Sequence, residues 1–97
     1  MKVVIKKAGE KPQISEIENN LSELQKVVGG FIETVTLCSD FCIICNEEGR
    51  LQGLPYNVAI CGISFVGTII GVGVAGDEFS DLNEKQIQFV IKMMEGK

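Results

Sequence analysis

The most reactive side chains in this sequence are four cysteines, Cys38, Cys42, Cys45 and Cys61. Their spacing invites a zinc reading, with Cys42-x-x-Cys45 as one pair, Cys61 after fifteen intervening residues, and Cys38 as the fourth ligand of a closed tetrahedron. The residues between them oppose it. A zinc knuckle turns tightly between its ligands, usually on glycine or polar residues, whereas Phe41-Cys42-Ile43-Ile44-Cys45 has the composition of a strand. Strand residues three apart point to opposite faces. The same geometry defeats a redox dithiol, and no cysteine sits at a predicted helix N-terminus or beside a cation that would lower its pKa. The chain has no histidine, so a serine or cysteine nucleophile lacks its ordinary general base. The expectation is four reduced, metal-free and mostly buried thiols that pack as small hydrophobes.

Two other patterns have the right letters for chemistry. Gly71-x-Gly73-x-x-Gly76 spells a dinucleotide fingerprint, but that motif needs its glycines to open a helix whose N-terminus faces a pyrophosphate. Here Asp77, Glu78 and Asp81 follow, which would repel phosphate, so the match is fortuitous. The acidic turns Glu47-Glu48 and Asp77-Glu78 could hold a divalent cation, or serve a metal-dependent hydrolase, if both lie at one end of a sheet. Solvated surface turns are the commoner fate of such residues. No catalytic set, cofactor or metal is therefore expected. Glu47, Glu48 and Asn57 are left as candidate partner-binding residues.

The elements that must position these residues follow from periodicity. Residues 2–7 form a short β-branched strand. Apolar residues at Ile14, Ile17, Leu21, Leu24 and Val28 fall on one helical stripe, with Ser15 and Glu18 as a capping box and Gly29 as the stop. Residues 30–37 and 41–45 alternate as two antiparallel strands, too closely linked to cross a sheet. The stretch 46–49 turns on Gly49, 50–53 returns briefly as a strand, and Pro55 holds an extended exit. Residues 56–61 fit either a strand or a helical turn. Residues 63–75 read as one long central strand with a β-branched face and a face carrying Gly67, Gly71 and Gly73. A helix is expected against those glycines, because missing side chains allow close approach. Asn83 and Gln86 cap a closing helix over 83–94, with Leu82 stapled to Ile87.

The fold class is accordingly α+β, in one domain over residues 1–97. Its order β-α-β-β-(β)-β-α suggests two helices packed on one face of a four- or five-stranded, largely antiparallel sheet. Thirteen acidic against nine basic residues give a net charge of −4, which disfavours nucleic acid as a partner. The apolar run 63–75 is too short to cross a bilayer, and no membrane role is expected. No charged leader precedes a long apolar core, so a cytoplasmic location is expected. Asn57 should hydrogen-bond backbone at the bend made by Gly53 and Pro55, apart from the two glutamates. A single such bond is worth about 1 kcal/mol.

One resemblance extends over nearly the whole chain. Its residues include Lys11-Pro12, Ile17-Glu18, Leu21, Leu24-Gln25, Val28-Gly29-Gly30-Phe31-Ile32-Glu33, Asn46-Glu47-Glu48-Gly49, Leu54-Pro55 with Asn57, and Gly67-Thr68. In these the chain resembles domain of unknown function 3846, a family of short proteins encoded mainly by phage and mobile elements. The likeness departs from the usual pattern at residues 58–64, where related chains tend to carry a charged residue after the Asn. What it implies is a genomic context without an established activity. With the missing catalytic set, that gives as the leading expectation a small cytosolic accessory protein that binds an unidentified protein partner and does no chemistry. The competing expectations are an acidic DNA mimic that inhibits a host nucleic-acid enzyme, and a metal-dependent hydrolase built on Glu47, Glu48 and Asp77.

Overall fold

The computed structural model describes residues 1–95. Its centre is the strand β4 (Phe41–Asn46), the Cys-x-x-Cys strand, in which every residue is buried. Two neighbours and two covered faces account for that burial. Strand β3 (Ile32–Thr36) pairs antiparallel on one side, with Thr34 opposite Ile44, and β7 (Ile69–Ala75) on the other, with Ile43 opposite Gly71. The remaining members are β1 (Lys2–Lys6), β2 (Gln13–Glu16) and the short β8 (Glu78–Ser80). The main sheet runs β2-β1-β7-β4-β3, with β8 also paired to β7, and every pairing is antiparallel. A separate hairpin joins β5 (Tyr56–Ile60) to β6 (Ile63–Val66).

The α+β class and the antiparallel sheet agree with the sequence pattern, but the helices do not share a face. Helix α1 (Leu21–Val28) buries Leu24 and Val28 on Val3, Cys42, Ile44, Ile70 and Val72. Helix α2 (Glu84–Met94), together with the β5-β6 hairpin, covers Val4, Ile43, Cys45 and Ile69 on the opposite face. Strand neighbours thus go to different cores, as period-two side-chain alternation requires. The sheet also has more strands than expected, six in place of four or five.

Three local expectations are corrected. The stripe from Ile14 does not start a helix: residues 13–16 pair with β1, with Ile14 opposite Val4, and Ile14 remains 55% exposed. Pairing with β1 outweighs a pattern whose first half mixes two good helix formers, Glu16 and Glu18, with five weaker ones, Ile14, Ser15, Ile17, Asn19 and Asn20. The helix starts later, where the Asn20 side chain accepts from the Glu23 N–H, and not at Ser15. It ends at Gly29, as expected. Residues 50–53 form no strand, because Gln52 N–H donates to Glu48 O and Gly53 N–H to Arg50 O, which coils them into turns.

The third correction divides the long strand 63–75. Gly67, at φ +71°, breaks it into β6 and β7, a conformation open to glycine at little cost. Its N–H bonds Pro55 O at 2.7 Å, so the exit of one loop fixes the break. The β5-β6 turn is Cys61-Gly62, with φ +52° and +78°. Positive φ at both central residues is the geometry of a tight two-residue hairpin turn, where Asn-Gly is the common choice. The unusual Cys at the first position is why this turn is hard to see in sequence.

The glycine face is covered, but the expected helix meets it only at Gly71, with Leu54 over Gly67 and residues 80–81 over Gly73. A Cβ on Gly71 would lie 2.6 Å from Val90 Cγ1 of α2, and one on Gly73 would lie 2.5 Å from the backbone oxygen of Asp81. Helix α2 itself carries the full capping box of Asn83 and Gln86 and buries Ile87, Val90 and Met94, with Leu82 buried just ahead of its cap.

Candidate functional site

The most specific parts of the sequence pattern, Val28–Glu33 and Asn46–Asn57, meet in space. Their junction is Asn46, the last residue of β4. Its side-chain oxygen accepts from Glu48 N–H at 2.8 Å, which folds the chain back as an Asx turn. Its amide nitrogen donates to Val28 O, an end carbonyl of α1, and to Gln52 Oε1. Gly30 must be a glycine because a Cβ there would come within 2.9 Å of that amide. Phe31 O accepts from Glu47 N–H and extends the β3-β4 ladder by one bond. Asn46 was not among the candidate residues; its place directly before an acidic Gly turn is the signal that could have revealed it.

Asn57 sits on the other side of the loop and is 9% exposed. Its amide nitrogen donates to Lys6 O at 2.9 Å and Gly67 O at 2.6 Å, while its oxygen accepts from Lys6 Nζ at 2.7 Å. Backbone bonding at a bend is thus observed, with a buried ammonium in addition. Lys6 is 8% exposed, and its cleft is shared with Met94 and Glu95 at the C-terminal end of α2, where a cation is favoured by the helix dipole. Glu47 and Glu48 are exposed on the turn, and Asn57 does not join them.

The two acidic turns are also apart. Strands β4 and β7 are antiparallel, with Phe41 opposite Gly73, so Asp77 lies beyond the start of β4 and Glu47 beyond its end. Six strand residues separate those levels, roughly 20 Å at about 3.3 Å each. A site combining Glu47, Glu48 and Asp77 is therefore ruled out by topology. Among the described residues, no three Cys, Asp or Glu side chains cluster closely enough to hold a metal ion.

Glu47 instead borders a cleft of about 250 Å³ between β3, the loop 47–55 and strand β6. Glu33 and Val35 from β3, Cys45 from β4, Leu51 from the loop and Phe65 from β6 form most of its wall. Arg50 also faces it, with its guanidinium donating to Ser64 O at 2.7 Å. Leu51 is 87% exposed at the rim, and Ile63 beside it is exposed as well. Sequence reasoning found only Glu47 here, because four separate segments build the wall.

The cysteines divide by strand parity. Cys42 belongs to the core under α1 and Cys45 to the core under α2, so their side chains point away from each other. Cys38 and Cys61 are exposed, which corrects the expectation of mostly buried thiols. Burial raises the Cys42 thiol pKa. Burial, then the nearby Glu33 charge, and then the thiol's hydrogen bond to that carboxylate at 3.9 Å, push Cys45 up to about 11. A thiol so placed is protonated at neutral pH and a poor nucleophile.

Two results follow for the thiols. In native protein at pH 8, Cys38 and Cys61 should react with a disulfide reagent at once, and Cys42 and Cys45 only on unfolding; four equal rates would contradict the burial. The Cys45 pKa rises on folding from 9.0 to about 11, so its stabilising contribution is complete below pH 9. It is lost as the pH climbs from 9 to 11, because the unfolded chain releases its proton first. Urea midpoints across that range should fall more steeply for the parent than for Cys45→Ala.

An α+β fold with an antiparallel sheet between two helical layers, carrying a cleft beside its β3 edge, is the class of structure seen here. The chain belongs to the family described as Domain of unknown function (DUF3846), which matches residues 1–95. No curated protein and no solved structure matches it. Among the described residues, no helix is long and apolar enough to cross a membrane.

Proposed function

We infer that the protein is a small protein-binding module without chemistry of its own, working in the cytoplasm as an accessory factor of a phage or mobile element. The observation that carries this is the β3-side cleft, which joins an apolar wall and the exposed rim residue Leu51 to the carboxylates of Glu33 and Glu47, neither of them paired with a cation among the described residues. Mixed apolar and charged concavities of this kind suit side chains of a partner. Its one thiol, Cys45, has its pKa pushed up to about 11, and the Ser64 hydroxyl has no histidine in the chain to serve as its base, which argues against covalent catalysis at this place. The separation of the acidic turns favours this reading over a hydrolase or an acidic mimic, since both need their carboxylates gathered.

The test is affinity capture from the native host by the parent protein, by Leu51→Asp and by Glu47→Ala/Glu48→Ala. All three should have the same stability within about 0.5 kcal/mol, because the replaced side chains are exposed. A partner enriched by the parent should be lost from Leu51→Asp and reduced with the double glutamate variant. Identical captured proteins for all three would overturn the reading.

A further inference from the structure

The two outer edges of the main sheet are unlike. At the β2 edge the strand has only four residues and follows Lys11-Pro12. The amino terminus bonds Ile17 O just beyond it, with Ile17 N–H returned to Met1 O. Shortness, lysine and proline are ordinary means of blunting an edge. Strand β3 ends the sheet on the other side and has none of them. It reads Ile-Glu-Thr-Val-Thr, with three β-branched residues beside one another at its end.

The hydrogen-bond phase of β3 is set by Glu47 N–H donating to Phe31 O. Register then alternates, so Glu33 and Val35 turn their backbone groups toward Cys45 and Ile43 of β4. Ile32, Thr34 and Thr36 turn theirs outward. Side chains alternate in the same way. Glu33 and Val35 face the cleft, whereas Ile32 packs on the α1 side. The open backbone edge and the cleft therefore belong to one surface.

Charge selects the occupant. Among the described residues, the ion pair is that of the amino terminus with Glu16 at 3.6 Å, so Glu33 and Glu47 both face the cleft without a cation within pairing distance. The Arg50 guanidinium, also at the cleft, is directed to Ser64 O. We propose that β3 receives an extended peptide of the partner as an added antiparallel strand, with an apolar residue opposite Val35 and a lysine or arginine two residues later opposite Glu33. Directly opposed residues in an antiparallel pair share a face, so both side chains enter the cleft while outward N–H and C=O groups of Ile32, Thr34 and Thr36 complete the ladder. This rests on the protein-binding reading and specifies the partner as a basic, apolar extended segment.

The probe is a fluorescein-labelled peptide, Thr-Val-Thr-Val-Thr-Arg-Thr-Arg, measured by anisotropy against a version with glutamate for arginine. The arginine peptide should bind at least about ten-fold more tightly, the equivalent of one good charge-assisted contact. It should slow amide exchange at Ile32, Thr34 and Thr36. Thr34→Pro removes an outward N–H but no bond to β4, a substitution edge strands tolerate, and should abolish binding with the fold retained by circular dichroism. Glu33→Lys should reverse the preference toward the glutamate peptide, and tests the proposal even if the proline variant unfolds.

Equal binding by folded Thr34→Pro would mean that the cleft acts without the edge, and would overturn strand addition while leaving a protein-binding role intact. Peptide-free dimerisation lost in Thr34→Pro would give the edge to a second copy of this chain and overturn the proposal. No binding of either peptide to the parent would overturn it too. Cleft-dependent partner capture, as described above, would then still stand or fall separately.

Discussion

Replacing Asn57 with alanine should cost about 3 kcal/mol of stability, roughly three times what one buried hydrogen bond contributes. The side chain makes three bonds, to Lys6 O, to Gly67 O and from Lys6 Nζ. Alanine would leave two buried carbonyls without that donor and would strip the Lys6 ammonium of its acceptor. Leaving a buried charge unpaired is the most expensive part. Lys6→Met removes that charge, so the double variant Lys6→Met/Asn57→Ala should lose clearly less than the sum of the two single losses. Urea unfolding of the four proteins measures the coupling. A single-variant loss under about 1 kcal/mol, the value of one ordinary bond, would show that the ammonium finds water or another acceptor. The expectation differs from that for the two glutamates because they are exposed and bear no such burden.

That contrast also marks how far sequence reading reaches. Asn57 was legible as a backbone-bonding residue, since Gly53 and Pro55 bend the chain beside it. Its second partner was not, because Lys6 is 51 residues away, and nothing in a lysine among other lysines announces burial. The α2 helix was readable in full: cap, stripe and end are all local. So was the β3-β4 hairpin, whose strands are too near in sequence to do anything else. The stretch 14–17 failed for the opposite reason. Its spacing is helical, and only its four-residue pairing with β1 makes it a strand.

The placement of α1 and α2 on opposite faces was hidden in a different way. Alternation along β4 and β7 shows two apolar faces, but it does not say which helix covers which. The candidate site was partly legible on the same principle. Glu47 could be named from the turn around Gly49. Glu33, Val35, Leu51 and Phe65 become neighbours only when β6 folds back over β3, and that path depends on the Gly67 break and on the Cys61-Gly62 turn. The cleft is a property of topology, and its residues carry no shared local signal.

Gly71→Val should destabilise the protein by about 3 kcal/mol, at the upper end of ordinary overpacking. In most strand positions this exchange would help, because valine suits a pleated surface and glycine weakens a strand. Here packing reverses the sign. An added Cβ would lie 2.6 Å from Val90 Cγ1 and 3.3 Å from Met94 Cε, closer than carbon atoms pack. The methionine can swing aside, but Val90 is β-branched, held to one rotamer on a helix, and fully buried. The helix would have to lift from β7, which also opens the core around Ile87 and Met94. Gly71→Ala should lose less, and Val90→Ala in that background should return part of the loss by removing the nearest clashing methyl. Chemical denaturation with unchanged m-values gives the numbers. A Gly71→Val protein as stable as the parent would mean that α2 does not rest on the glycine face, and the close approach that organises this half of the core would have to be abandoned.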